Sequence, residues 1–440
     1  MVTLDALVVA TALPSIRADL GGSAGSLQWI INAYNLTFAA GIVTGAALGD
    51  RFGRRRLFLI GLALFTVASA ACALSPTLEL LVAARAVQGL GAAILGPVGL
   101  TLITGAFPAT KRGTAIGLWG GISGLGVAAG PLVGGAVTQG LDWHWVFWVN
   151  VPIGIAALAL CARLLRESYG PRRPLDLPGM ALVAVALAAL VDALVEAPAI
   201  AWSAPRTVAL LAVAAAALAG FVLREQHARA PMIPLGLFRI RTFAAANVAN
   251  LASAAAIFSA AYVMSEYFQL GRGYSPLATG LRFLPWTATP LLVAPLAGAW
   301  CDKVGPRRLA TPGLVMQALG FCAIVGLAGT SQPWVAYVGP FVVAGVGVSL
   351  ALPSLPAASL GAVGPGEVGV AAGVVNTVQR VGSVIGVAVI TAVFGAHGSL
   401  ASAAGVTSGF RWALATAAGL SLLGASAATL LGRPATPARG

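Results

Sequence analysis

Apolar residues run in long unbroken stretches from one end of the chain to the other, and short polar segments interrupt them. The stretches are continuous rather than alternating, so they predict helices that are apolar on every side and not the strands of a barrel. Fourteen are counted, at roughly residues 2–16, 27–48, 57–74, 78–104, 114–138, 144–163, 176–197, 207–223, 243–268, 275–299, 309–328, 334–358, 368–394 and 410–431. A helix needs about 20 residues to cross a bilayer core of roughly 30 Å. In lipid only helices or closed barrels satisfy the backbone. The expected fold is therefore an all-α polytopic membrane protein with about 14 transmembrane helices. The first stretch is the shortest, about 24 Å of helix up to Ile16 at 1.5 Å per residue. Either the natural start lies upstream of Met1 or this helix begins inside the bilayer, and the former is expected.

The polar interruptions carry a repeat. After the second stretch comes Gly49-Asp50-Arg51-Phe52-Gly53-Arg54-Arg55-Arg56, and after the tenth a weaker copy, Asp302-Lys303-Val304-Gly305-Pro306-Arg307-Arg308. Asp50 matches Asp302, Gly53 matches Gly305, and Arg55 and Arg56 match Arg307 and Arg308. A second echo sets Gly113-Thr114-Ala115-Ile116-Gly117, opening the fifth stretch, against Gly369-Val370-Ala371-Ala372-Gly373, opening the thirteenth. Both echoes shift the count by eight. Helices 1–6 (residues 1–163) and 9–14 (226–440) are thus expected to be equivalent halves, with helices 7 and 8 (164–225) an inserted pair. Paired halves are the architecture of alternating-access transporters, whose site lies between them near the midplane.

Charge sharpens this picture. Only 9% of the 440 residues are charged, against about 25% in soluble domains. The net charge of +13 suggests nucleic acid until its placement is read. Nineteen of the 26 Lys and Arg fall in loops on one side, four (Arg17, Arg206, Arg272 and Arg411) on the other, and Arg85, Arg282 and Arg380 within stretches. The positive-inside rule makes the first side cytoplasmic, with both termini there and the protein in the inner cell membrane. The four cysteines are scattered without a CxxC and read as small apolar residues. The histidines have no ligand spacing, so no metal is expected. No cleavable signal peptide is expected before the first helix. Asp192 and Glu196 are read as solvated. Trp143, Trp145 and Trp148 read as an aromatic belt. There is no P-loop and no clustered catalytic set, so neither ATP chemistry, an enzyme nor a membrane-bound sensor is indicated.

Five motifs in order resemble the major facilitator superfamily, specifically its fourteen-helix drug:proton antiporter branch. Gly45-x-x-x-Gly49-Asp50-Arg51-x-Gly53-Arg54-Arg55 resembles the loop motif between helices 2 and 3, and Arg85-x-x-Gln88-Gly89-x-Gly91 the helix-4 motif. Gly126-x-x-x-Gly130-Pro131-x-x-Gly134-Gly135 is similar to the helix-5 motif associated with antiport. Leu4-Asp5 with Ala12-Leu13-Pro14, and Trp145-x-Phe147-x-x-Asn150-x-Pro152, resemble that branch's helix 1 and start of helix 6. The resemblance implies the major facilitator fold. It also implies proton-driven export of a lipophilic or cationic small molecule, with no cofactor beyond the proton gradient. The partners are then substrate, protons and membrane lipids, with no nucleic acid, and a monomer is expected. A narrow-range metabolite exporter or a symporter is the alternative, and the helix-5 motif argues against uptake.

Within that frame the polar residues acquire roles. The resemblance makes the Asp50 loop a latch, with Gly49, Arg51, Gly53, Arg54 and Arg55 around it. Positive-inside anchoring alone is the plainer reading, and the copy at Asp302, Arg307 and Arg308 is expected to act more weakly because Pro306 replaces the equivalent of Arg54. Ionisable residues inside spans are costly and usually functional. Asp5 lies about 16 Å from the outer end of helix 1 and Arg85 about 12 Å from the outer start of helix 4. They can meet, either as a proton-coupling pair or as a static clamp. Gln88, Glu266, Arg282 and Arg380 are further candidates for substrate contact or gating. Glu266 and Arg282 are expected to pair, the alternative being that Glu266 meets a cationic substrate. Arg380 is expected to line the cavity or bridge the halves. Glycines along helix 5, with Pro131 among them, predict close helix packing.

Overall fold

A computed structural model describes residues 1–21, 24–108, 111–123, 126, 142–170, 176–228, 231, 233–329, 332–399 and 402–432. The regular elements among them are helical. They are α1 (Val2–Leu20), α2 (Ala24–Phe52), α3 (Arg54–Ala73) and α4 (Leu78–Ala106); α5 (112–123); and α6 (Trp145–Leu164). Then follow α7 (Leu177–Ile200), α8 (Pro205–His227) and α9 (Arg241–Glu266), which a π turn at Tyr267–Gly271 extends. Helix α10 comes in two segments, Pro276–Thr287 and Thr289–Val304; α11 (Pro306–Leu327), α12 (Val335–Gly361), α13 (Val368–His397) and α14 (Ala403–Ala428) complete the chain. Ten helices among the described residues are long and apolar enough to cross a membrane.

Local chemistry explains where the helices depart from the apolar stretches. Helix α1 continues past Ile16 to Leu20 and closes at Gly21, whose N–H reaches the Arg17 carbonyl at 3.0 Å with φ 70°. Its polar last turn is therefore helical, although it ends the hydrophobic pattern. Helix α14 starts at Ala403 rather than near 410, because Ser402 Oγ accepts the Gly405 N–H at 3.1 Å and caps it. Helix α10 breaks between Thr287 and Thr289, where Pro285 and Pro290 lie on either side of the junction and neither has an N–H to bond the preceding turn.

Packing divides into two neighbourhoods. Helix α4 packs along α2 and α3, and α3 packs against α6. Helix α9 packs along α12, α13 and α14, and α11 lies against α12 and α14. Helices α7 and α8 pack on each other, and α7 rests on both α2 and α13. Two seams join the neighbourhoods. One is α13 against α2 and α4. The other is α5 against the second segment of α10, where a Cβ on Gly113 would sit 2.7 Å from the Gly298 carbonyl and one on Gly121 3.2 Å from the Pro290 carbonyl. Both seams start at the arginine-rich end and reach mid-helix.

Two assignments from the sequence change. Trp143 is no interfacial belt residue: it is 3% exposed and donates through Nε1 to Asp19 at 2.9 Å. It packs in the apolar cluster of α1, α2, α4 and α6, because the helical extension of α1 places Asp19 as its acceptor. Trp145 does stay exposed. Asp192 is not solvated: its side chain is 14% exposed and faces Arg206, on α8, at 3.7 Å, because α8 packs back along α7.

Candidate functional site

Asp5, in the first turn of α1, meets Arg85 of α4 inside the first neighbourhood. Asp5 Oδ2 lies 2.5 Å from Arg85 Nη1, and both residues are 1% exposed. Asp5 Oδ1 accepts from Gln88 Nε2 at 3.0 Å and from Asn150 Nδ2 at 3.1 Å. Arg85 also donates through Nη1 to Gln88 Oε1 at 2.7 Å and through Nε to the Ile30 carbonyl at 3.0 Å. Its guanidinium lies over the Tyr34 ring at 4.2 Å. Asn150 donates to Ser69 Oγ at 3.2 Å, Ser69 to the Phe147 carbonyl at 2.9 Å, and the Cys72 thiol to Gln88 Oε1 at 3.7 Å. The helical offset between Arg85 and Gln88 puts both on one face of α4, and α1, α3 and α6 enclose that face.

This arrangement matches charge with charge in a place that water does not reach. Burying two ions costs several kcal/mol each unless geometry and hydrogen bonds compensate. Here the carboxylate has a guanidinium and two amides, and the guanidinium has three acceptors and two aromatic faces, Tyr34 and Phe147. The structure brings together Asp5, Arg85 and Gln88, three of the residues singled out from sequence. It adds Asn150, Ser69, Cys72 and Tyr34, which the sequence reading gave no site role. Cys72 is buried at the edge of a polar cluster rather than serving only as an apolar filler.

The cluster connects to the seam with the second neighbourhood. Tyr34 packs edge-on against Phe38 at 5.8 Å, and Arg380 of α13 stands over Phe38 at 4.7 Å. Arg380 also donates to Asn35 Oδ1 on α2. Arg380 thus joins α13 to α2 across the seam.

At the arginine-rich end, both copies of the loop motif touch the opposite neighbourhood. Asp50 is 8% exposed, and Arg54 holds its Oδ1 through Nε at 2.8 Å and Nη2 at 2.7 Å. Its carboxylate lies against the first turn of α13, where a Cβ on Gly369 would collide with Asp50 Oδ2. Asp302 makes the closer contact. It accepts the backbone N–H of Gly113 at 2.7 Å, that of Thr114 at 2.9 Å, and the Thr114 hydroxyl at 2.8 Å. A carboxylate there meets the unpaired N–H groups of the α5 N-terminus. Since Pro306 offers no guanidinium to claim it, Asp302 turns fully to α5. Across this seam, then, the second copy is held by three hydrogen bonds. Arg307 and Arg308 are exposed on the first turn of α11, and Arg51 is exposed beside Phe52.

Glu167 was not visible from sequence. Helix α3 starts at Gly53 with φ 104° and no cap of its own. Glu167, from the segment after α6, accepts the N–H of Arg55 at 2.9 Å and of Arg56 at 3.1 Å, and the Ser168 carbonyl accepts that of Arg54 at 2.9 Å. Gly170 N–H returns to the Asp50 carbonyl at 2.9 Å, and Arg55 donates to the Ala162 carbonyl. Gly49 keeps α2 close to Val98 of α4, where a Cβ would come within 2.8 Å.

The expected Glu266–Arg282 pair is not formed. Arg282 donates to the Ala278 carbonyl at 3.0 Å and lies over the Tyr274 ring at 4.1 Å. Phe268 packs on both Tyr274 and Phe283, so aromatic rings occupy the space beside the α9 terminus. Glu266 instead lines a cavity shared with α7 and α13. Gly126 is helical, whereas Gly130, Pro131, Gly134 and Gly135 lie outside the described residues.

A bundle of long apolar helices in two neighbourhoods, with a buried carboxylate–guanidinium pair and carboxylate contacts between them, fits a polytopic membrane transporter. The sequence profile of the Major Facilitator Superfamily matches residues 1–387 and 243–440, and the chain belongs to that superfamily. It is 38% identical over 402 residues to the multidrug resistance protein Stp of Mycobacterium tuberculosis, covering 90% of this chain and 74% of that protein. It is 36% identical to the tetracenomycin C resistance and export protein of Streptomyces glaucescens, covering 89% of this chain and 73% of that one. With the puromycin resistance protein pur8 of Streptomyces alboniger it shares 35% identity, over 98% of this chain and 88% of the relative. Among solved structures, the human organic anion transporter MFSD10 shares the fold, with a TM-score of 0.63 and 15% identity over 97% of this chain and 96% of that one.

Proposed function

We propose that this chain is a proton-coupled exporter of lipophilic, cationic or amphiphilic drugs and antibiotics, working by alternating access in the inner cell membrane. The observation that carries the reading is the buried Asp5–Arg85–Gln88–Asn150 cluster, in a chain whose relatives are named for drug resistance and export. Residues 1–163 and 226–440 act as the two halves, with 164–225 an inserted pair. The arginine-rich end is cytoplasmic, supported by the nineteen-to-four distribution of Lys and Arg.

The exchange follows from charge. With Asp5 and Arg85 in contact, the two cancel. A proton taken up by Asp5 leaves Arg85 with neutral partners only: Gln88, the Ile30 carbonyl and the Tyr34 and Phe147 rings. The uncompensated guanidinium then opposes a bound cation. Release of the proton restores the pair and readmits the cation. One carboxylate thus serves proton and substrate in turn, through Arg85. Asp50 and Asp302 hold the cytoplasmic seams until this change of charge loosens them. Binding of substrate is by an apolar cavity, where shape and charge decide more than hydrogen bonds.

Energised efflux of ethidium from cells expressing the chain tests the reading, with and without a protonophore and beside Arg85→Ala. Efflux that collapses with the protonophore and fails in the variant is expected; efflux indifferent to the protonophore contradicts proton coupling. Relatives named for a single compound, such as tetracenomycin C and puromycin, favour a narrow range as the second reading. A panel of chemically unrelated cations distinguishes the two.

A further inference from the structure

The cavity beside Glu266 lies outside the seams between the two neighbourhoods. It measures about 490 Å³ and is walled by the end of α7 with Trp202, by Tyr262 and Glu266 of α9, and by Phe394 and Gly395 of α13. Drug-sized ligands occupy sites of about 300–1,000 Å³. Among the described residues no hydrogen bond or ion pair engages the Glu266 carboxylate. The two guanidiniums on neighbouring segments are directed elsewhere, Arg282 onto Tyr274 and Arg206 toward Asp192. A half-buried carboxylate in a mostly apolar cavity calls for a positive partner. Trp202, Tyr262 and Phe394 offer the aromatic faces to which an organic cation is drawn.

From this geometry we propose that the Glu266 cavity is a second binding site, separate from the Asp5–Arg85 cluster, for a monovalent organic cation carried on an apolar body. The end of α7 supplies one of its walls, which gives this helix a share in ligand binding. A dissolved amphiphilic cation and the ammonium headgroup of a lipid share this chemistry. The inference stands apart from proton-coupled export, because binding requires no gradient.

The test is site-local protection in the purified full chain in nanodiscs. Gly395 borders the cavity, and a Cβ there meets nothing within 4 Å, so Gly395→Cys is accommodated without strain. Alkylation of the Gly395→Cys thiol by N-ethylmaleimide is followed by peptide mass spectrometry, with tetraphenylphosphonium as the cation and triphenylphosphine oxide as its neutral counterpart. Tetraphenylphosphonium is expected to slow alkylation, and the neutral probe to have little effect at equal concentration. Adding Glu266→Gln should raise the tetraphenylphosphonium concentration needed by about tenfold or more. Equal protection by the two probes, or protection undiminished in Glu266→Gln, overturns the proposal. If Glu266→Gln fails to reach the membrane, the comparison of probes on the intact carboxylate decides alone. Nanodiscs of phosphatidylglycerol with and without phosphatidylethanolamine separate the sources. Baseline alkylation slowed by phosphatidylethanolamine, and restored by Glu266→Gln, assigns the site to a lipid headgroup; a baseline unchanged by lipid assigns it to dissolved cations.

Discussion

At the scale of single residues, the Asp5–Arg85 contact is set where neither ion can be lost alone. Removing one partner of a buried pair typically costs about 3–5 kcal/mol, while replacing both by neutral groups is far cheaper. Arg85→Leu is therefore expected to lower the melting temperature of the purified protein, and Asp5→Asn combined with Arg85→Leu to recover most of it without restoring transport. Additive losses of stability would show that the two residues do not form one unit. Glu167→Ala removes the acceptor of two α3 N–H groups and should lower stability by about 0.5–2 kcal/mol, read as a fall in melting temperature.

Asp5 and Arg85 were legible because charge inside an apolar stretch is conspicuous, and helical rise alone sets their depth. Asn150, Ser69 and Tyr34 were not, since a neutral polar residue in a span gains meaning only when its facing partner is known. Glu167 is a loop residue whose partner lies more than a hundred positions away, so no local signal marks it. The Glu266–Arg282 pairing rested on shared depth. Depth does not fix the direction a side chain takes around its helix.

Helices meet in this molecule through backbone contact, and glycines decide where. On α4, Gly91 admits α3 so closely that a Cβ would lie 2.7 Å from Phe65 N, while Gly89 admits the Tyr34 turn of α2. On α5, a Cβ at Gly117 would collide with the Ala294 carbonyl and stand 3.1 Å from Gly298 Cα. Gly117→Val is expected to force α5 off α10 and abolish export while the protein still reaches the membrane, as a paired efflux and membrane-fraction assay would show. Normal efflux in that variant would mean that this seam is not part of the working cycle. The apolar stretches announced the helices. The break in α10 and the early start of α14 follow from proline and serine chemistry at helix ends, which hydropathy does not register.

For the whole molecule, the seams describe a state closed at the arginine-rich end. Asp302 caps α5 and Asp50 abuts α13, each from the opposite neighbourhood. Further in, a Cβ at Gly373 would lie 3.0 Å from Ala46 Cβ, within reach of a disulfide between α13 and α2. Ala46→Cys with Gly373→Cys should cross-link under oxidation, stop export, and regain it on reduction. Export by the cross-linked protein would show that this seam need not open. The sequence does not show which face is closed, because that depends on contacts between residues more than 300 positions apart, such as Asp50 and Gly369.

The central claim is that Asp5 exchanges a proton for substrate. Its most direct test is ethidium transport in proteoliposomes holding either the intact chain or Asp5→Asn. Two modes are measured: uptake driven by an imposed pH gradient, and exchange of labelled for unlabelled ethidium with no gradient. The account predicts that Asp5→Asn loses the first and also weakens the second, because Arg85 then stands uncompensated against the cation as it does when Asp5 is protonated. Gradient-driven uptake that survives in Asp5→Asn would contradict it and place the coupling proton elsewhere.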